Sequence, residues 1–261
     1  MIDVSGDQRL TIVGHTRSGK STAARHLLAL TATEADLARR DDFTVYVLWT
    51  KPEREELFTP AHFGSTTFRL ARTIDQAIPE GGLRPRRRER VVAFAPFKDG
   101  RTLNMGAGYG EWLQVVFDEF FRRVFLACAR RGQTATVYVD EVNRLTNYKA
   151  NGGPEWFRRA YTEGGGMGLG VWGGVQRPVF TQGELLSEYD HLLVYHLGKK
   201  PDRERMAAEL DLPLRALPVT YPDKHGFFYR GPDGPAQYFS SIQAATGVEL
   251  FGGRTSLRSS S

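Results

Sequence analysis

The sequence predicts an α/β fold: a mostly parallel sheet sandwiched by helices, with a β-hairpin toward the C-terminal end. Three observations carry this expectation. Apolar runs of strand length recur along the 261 residues with helical patterns between them. Several of those runs are continuous rather than alternating, as strands covered on both faces require. The first run leads directly into a glycine-rich loop and then a helix, the order of a phosphate-binding P-loop unit.

The elements follow in chain order. Strands are expected at Leu10–Val13, Thr44–Trp49, Val91–Ala95, Thr136–Val139, Leu169–Trp172 and Leu192–Tyr195. A helix follows the first strand, with Ala23, Ala24, Leu27, Leu28 and Leu30 on one side. The strongest helical pattern runs from Glu111 to Arg130, where Leu113, Val116, Phe117, Phe120, Val124 and Ala127 share a face. That aromatic stripe reads as core. Chain breaks are expected at Glu80–Arg90, at Asn151-Gly152-Gly153-Pro154 and at Gly164-Gly165-Gly166. Phe227-Phe228-Tyr229 and Gln237-Tyr238-Phe239 flank Gly231-Pro232-Asp233-Gly234, a hairpin signal. Gly252 to Ser261 is polar, rich in glycine and serine, and expected to be disordered. With no repeat and no clear linker, residues 1–250 are expected to form one domain and 251–261 a tail.

Composition narrows the class. Hydrophobic content of 41% and charged content of 25% suit a globular protein with a sizeable core. The net charge of +5 suits a polyanionic partner. Cys128 is the only cysteine, so no internal disulfide forms, and its apolar helical surroundings point to a packed thiol. The histidines show no paired ligand spacing; His191 and His196 flank an apolar strand and mark its ends. No apolar run reaches membrane-span length and the N-terminus does not read as a signal peptide, so a soluble intracellular protein is expected.

The chemistry sits in three places. Gly14-His15-Thr16-Arg17-Ser18-Gly19-Lys20-Ser21-Thr22 spells G-x-x-x-x-G-K-S between a strand and a helix. Its glycines let backbone N–H groups curl around a β-phosphate, the helix N-terminus faces the same anion, Lys20 neutralises the β/γ oxygens, and Ser21 supplies an oxygen to Mg²⁺. ATP and Mg²⁺ are the expected ligands. Thr136-Val137-Tyr138-Val139-Asp140-Glu141 is an apolar strand ending in two acids. Ligands of open α/β sheets lie at strand carboxyl ends, which suits Asp140 for the metal's water shell and Glu141 for polarising the attacking water. A third strand ends in Gln176-Arg177-Pro178, where the Gln176 amide could touch both the γ-phosphate and that water.

Taken in order, GHTRSGKST, VYVDEVNRL and GLGVWGGVQRP resemble the FtsK–HerA superfamily of DNA-pumping ATPases. The layout of residues 8 to 210 looks like the compact genome-packaging ATPases of membrane-containing, double-jelly-roll viruses, the poxvirus A32-like group. Part of that layout is the segment Leu192–Leu197 followed by Lys199-Lys200-Pro201-Asp202-Arg203-Glu204-Arg205. The resemblance implies a RecA-like (ASCE) P-loop NTPase fold and ATP hydrolysis coupled to translocation of double-stranded DNA. It also implies a pentameric or hexameric ring of identical subunits that meets a capsid vertex, in the host cytoplasm or at the virion. Neighbouring subunits would complete each site with an arginine. Relatives often carry one three residues before the glycine opening the Gln-Arg-Pro strand; here that position is Gly165. Arg158 and Arg159 are the preferred substitutes, with Arg122, Arg123 and the Arg86–Arg90 cluster as others.

Pumping DNA of any sequence needs phosphate contacts and no base readout. Arg84-Pro85-Arg86-Arg87-Arg88-Glu89-Arg90 and Asn147-Tyr148-Lys149-Ala150-Asn151-Gly152-Gly153 are the candidate loops. Thr50-Lys51-Pro52-Glu53 closes the second strand where superfamily members often carry charge, with the site and the subunit interface both open to it. Cellular relatives acting in conjugation or segregation are the alternative within the superfamily. A small-molecule P-loop kinase is the alternative outside it, and the Asp140-Glu141 pair speaks against that class. A GTP switch would need a guanine-reading Asn-Lys-x-Asp, which Thr50-Lys51-Pro52-Glu53 does not supply.

Overall fold

The computed structural model describes residues 2–50, 58–63, 66–79, 89–97, 109–146, 154–181, 183–251 and 254–256. In chain order the elements are β1 (Leu10–Val13), α1 (Lys20–Leu37), β2 (Phe43–Leu48), β3 (Thr67–Ala71), α2 (Ile74–Ala77) and β4 (Glu89–Phe94). They continue with α3 (Tyr109–Arg131), β5 (Thr134–Val139), α4 (Glu155–Glu163), β6 (Leu169–Val175), α5 (Gly183–Ser187) and β7 (His191–Tyr195). Last come α6 (Lys200–Leu210), β8 (Phe227–Arg230), β9 (Gln237–Phe239), α7 (Ile242–Thr246), β10 (Glu249–Phe251) and β11 (Arg254–Ser256).

Nine strands form one sheet in the order β3-β4-β2-β5-β6-β1-β7-β8-β9. The seven from β3 to β7 are parallel; β8 and β9 add an antiparallel hairpin to the β7 edge. This is the predicted α/β architecture with its hairpin. Every residue of β1, β2, β6 and β7 is buried, which is why those segments read as unbroken apolar runs. β3 was not evident in the sequence. Among the described residues it pairs with β4 alone, shifts register at Thr67/Phe68, and exposes much of its length. An edge strand of that kind carries no continuous apolar signature.

α3 buries a wider stripe than its spacing predicts, because it packs on two surfaces. Phe120 lies 5.2 Å from Tyr46 and 5.3 Å from Phe94 on the sheet side. Phe121 and Phe125 meet Phe157 and Trp156 of α4 at 5.0 and 5.7 Å. Cys128 is buried in this layer, and burial pushes its thiol up to about 12, so it packs as an apolar group. His191 opens β7, where its ring meets Gln8 Oε1 at 2.8 Å and the Tyr229 hydroxyl at 2.7 Å. β10 and β11 pair antiparallel, so part of the segment expected to be an unstructured tail forms a two-stranded ribbon. Among the described residues no helix is long and apolar enough to cross a membrane.

Two glycines of β6 lie close against neighbouring main chain. A Cβ on Gly170 would lie 2.2 Å from the Gly6 carbonyl, and one on Gly174 would lie 2.3 Å from the Asp140 carbonyl. Trp172, between them, is fully buried and donates from Nε1 to the Gln8 carbonyl at 3.0 Å. Gly174→Ala therefore has to displace main chain, and is expected to cost about 1–3 kcal/mol, read as a lowered urea midpoint. A Gly174→Ala variant as stable as the parent would contradict this packing.

His26 of α1 is buried against Thr246, with Nε2 and Oγ1 2.8 Å apart. Burial lowers its pKa to about 4. His62, His191 and His196 are lowered by burial in the same direction. The unfolded chain takes up these protons near pH 6.5 while the fold resists them. Stability is thus expected to fall as pH drops from about 6.5 toward 4. His26→Gln should shrink the difference in Tm between pH 7 and pH 5; an unchanged difference would exclude this cause.

Candidate functional site

The candidate site forms where β1, β5 and β6 end together. Val13 of β1 stands in register with Val175 of β6 and Val194 of β7. Beyond it, Gly14 N–H donates to the Val175 carbonyl (3.0 Å) and His15 N–H to the His196 carbonyl (3.3 Å), so the loop is tied to both flanking strands. Arg17 (φ 66°) and Gly19 (φ 112°) then reverse the chain into α1. Gly14 admits no side chain, because a Cβ would lie 2.6 Å from both Ser18 Oγ and Tyr195 Cβ.

α1 starts without a side-chain cap. Its first-turn N–H groups and the positive end of its dipole therefore favour an anion. Lys20 is buried, and its ammonium donates to the carbonyls of Gly14 and His15, the latter at 2.8 Å. His196 stacks edge-on to His15 at 4.0 Å. Its pKa is lowered by burial and further by His15, Lys20 and His225, a sign of positive potential around the loop.

β5 reaches the same edge one strand away. Val139 pairs with Leu48 of β2 and Gly173 of β6, and β6 alone separates β5 from β1. Because Gly173 and Gly174 have no side chains, the main chain at Asp140 and the Val142 side chain lie directly against β6. The resulting cleft, about 210 Å³, is lined by Thr16 to Thr22 together with Arg25, Asp140, Gln176 and His225. Lys20, Ser21, Asp140 and Gln176, three separate motifs in the sequence, thus share one cavity. Gly14 and His15 lie behind it and hold Lys20 through their carbonyls.

Glu141 does not line the cleft. Its carboxylate lies 3.3 Å from Arg144 Nε, while Arg144 Nη1 donates to the Thr50 carbonyl at 3.1 Å. Nor do Arg158 and Arg159 of α4 line it. Arg159 makes a two-point pair with Glu163 (3.0–3.1 Å) and sits 4.8 Å over Trp156. Arg122 and Arg123 both grip Glu119. They border a larger cleft of about 300 Å³ between α3 and Ile78-Pro79, which holds none of the phosphate-loop residues.

Arg90, grouped by sequence with the exposed basic loop, is instead built into the fold. It is buried, and it donates to Asp36 at 2.7 Å and to the Phe43 carbonyl at 2.6 Å. With its guanidinium spent inside the fold, it does not face DNA or a neighbouring subunit's site. Lys51–Glu53, Arg84–Arg88 and Asn147–Gly153 lie outside the described residues.

The Gln-Arg-Pro turn is clamped from two directions. Arg177 Nε donates to Asp202 Oδ2 at 2.7 Å, and the Val179 N–H donates to the other oxygen at 3.2 Å. Asp202 is 1% exposed at the start of α6. Arg205 donates to the Pro178 and Thr181 carbonyls at 2.6 and 3.1 Å. From the other side, Asn143 Nδ2 donates to the Arg177 carbonyl at 3.2 Å. Gln176 is therefore fixed relative both to α6 and to the turn that follows Asp140. The basic stretch Lys199–Arg205 has a structural role that its charge pattern alone did not reveal.

Sequence reasoning missed Arg25 and His225 as lining residues. Arg25 was within reach of it, lying one helical turn beyond Ser21 and Thr22 on the same helix. His225 comes from the segment before β8 and reaches Gly19 only through the tertiary fold.

No protein-family model matches the sequence, and no curated protein sequence matches it. Solved structures do. The genome-packaging NTPase B204 of Sulfolobus turreted icosahedral virus 2, in complex with ATPγS, superposes with a TM-score of 0.62 at 13% identity. That match covers 92% of this chain and 100% of the other. The DNA-packaging ATPase B204 of Sulfolobus turreted icosahedral virus gives 0.56 at 12% identity over 91% and 99%. At these identities the likeness is one of fold: the chain has the RecA-like P-loop NTPase fold.

Asp202→Ala is expected to remove the clamp and leave the Arg177 guanidinium unpaired, costing about 1–3 kcal/mol as measured by thermal unfolding. An unchanged Tm would show that Gln176 is held by other means.

Proposed function

We propose that this protein is a Mg²⁺-dependent ATPase whose hydrolysis drives double-stranded DNA, without regard to sequence, during packaging of a viral genome. The observation that carries the reading is the single cleft lined by Lys20, Ser21, Asp140 and Gln176. The matching fold of two packaging NTPases supports it.

The donor set suits the metal. A hydroxyl and a carboxylate in one cleft are hard oxygen ligands, and Mg²⁺ keeps much of its water shell. Ser21 and Asp140 would hold it, and when bound it neutralises charge on the β- and γ-phosphates. The loop amides and Lys20 bind and orient the phosphate chain. Glu141 takes a proton from the attacking water as that water closes in line on the γ-phosphorus and the bond to the opposite, bridging oxygen breaks, releasing ADP. To do so its carboxylate leaves Arg144 and turns toward the cleft. Gln176, fixed by the Arg177–Asp202 clamp, orients the same water and reads the γ-phosphate.

A ring of identical subunits, pentameric or hexameric, supplies the completing arginine in trans. Arg158 and Arg159 of α4 are the candidates for that role, Arg159 having to leave Glu163 and Trp156 to reach it. The basic segment at 84–88 and the segment at 147–153 carry the DNA phosphate contacts, and the ring works at a capsid vertex or in the host cytoplasm.

Lys20→Ala is expected to lose ATP binding. Glu141→Gln should keep it within a few-fold while turnover falls about 10²–10⁴-fold. Long duplex DNA should stimulate the parent ATPase, and raising the salt should abolish the stimulation. Normal turnover by Glu141→Gln would overturn the role given to that residue. Phosphoryl transfer to a small acceptor, indifferent to DNA, would replace the motor with a kinase.

A further inference from the structure

We propose that Arg25 is a second cationic side chain for the nucleotide's phosphates, acting from the same helix and the same subunit as Lys20. The inference rests on the cleft being a nucleotide site, and it adds a residue that the P-loop motif does not contain.

Arg25 lies one turn into α1 beyond Ser21 and Thr22. Helical side chains lean toward the N-terminus, so its guanidinium returns over the first turn, where Nη2 donates to Thr22 Oγ1 at 3.2 Å. It lines the cleft together with Lys20 and Asp140. Thr22 is the last residue of the phosphate-loop motif. A fork anchored there is placed for the phosphates that ATP and ADP share, rather than for the γ-phosphate alone.

Its contact with His62 is a poor one for a cation. Nη1 lies 2.9 Å from His62 Nε2, while His62 Nδ1 accepts the Thr59 N–H at 3.0 Å. A neutral imidazole that accepts at Nδ1 carries its proton on Nε2, so two N–H donors face each other. Burial, and then the charge of Arg25 itself, lower the His62 pKa and keep that ring neutral. Burial lowers the Arg25 pKa as well, so the guanidinium bears a desolvation cost that a phosphate oxygen would offset. The planar fork matches phosphate geometry, which a lysine at this position would not.

Isothermal titration of the full chain with Mg·ADP and with Mg·ATPγS tests the assignment on Arg25→Gln, Arg25→Lys and Lys20→Ala, each first shown to be folded by circular dichroism. Arg25→Gln should weaken ADP and ATPγS alike, by roughly tenfold or more, and Arg25→Lys should recover part of the loss. AMP, with a single phosphate, should lose less than ADP. A purely structural role would not produce that ordering by phosphate number. Arg25→Gln with parental affinity for both nucleotides, while Lys20→Ala has lost them, would overturn the role of Arg25 and leave the cleft intact. A loss confined to ATPγS would equally overturn it. Failure of the parent protein to bind either nucleotide would instead remove the nucleotide site itself.

Discussion

The site depends on how closely two backbones can approach at the end of β6. Asp140 reaches the phosphate loop because its carbonyl rests where a side chain on Gly174 would otherwise stand. With Gly14 equally bare against Ser18 and Tyr195, the three strand ends draw into one cleft instead of fanning apart along a twisted edge. The glycines of β6 are thus not turn residues. They set the depth of the site, and the wholly buried β1 and β6 hold that depth rigid.

Charge is arranged around this geometry with similar economy. Lys20 rests on main-chain carbonyls, and Arg25 lies over Thr22. Burial, with Lys20 close by, lowers the pKa of His196. The cleft is therefore predominantly cationic, with Asp140 as its carboxylate. The second acid, Glu141, is set apart on Arg144, whose other contact is the end of β2 at Thr50. The turn carrying Glu141 is in turn linked through Asn143 to the Gln176 strand end, and through Arg177 and Asp202 to α6. Any movement that brings Glu141 to a substrate must pass through a network of named hydrogen bonds.

Much of this was legible in the sequence, for identifiable reasons. Buried parallel strands write themselves as apolar runs, so β1, β2, β4, β5, β6 and β7 could be found, whereas the half-exposed edge strand β3 could not. The loop from Gly14 to Thr22 and the acid at Asp140 were readable because their chemistry fixes both residue type and flanking element. What stayed hidden was tertiary. Nothing local in the Lys199–Arg205 stretch says that Asp202 will be buried beneath Arg177. Arg90 reads as one more arginine in a basic loop until β4 carries it under Phe43 and Asp36. The orientation of Glu141 toward Arg144 likewise depends on where the next turn of chain falls.

The central claim is that the loop ending at Lys20 and the carboxylate of Asp140 serve one Mg²⁺-bound triphosphate. A crystal structure of the protein with Mg·ATPγS tests it most directly. The account predicts the phosphate chain inside the loop from Gly14 to Thr22, with the metal between Ser21 and Asp140. Nucleotide density in the cleft between α3 and Ile78-Pro79, or a metal with no path to Asp140, would contradict it.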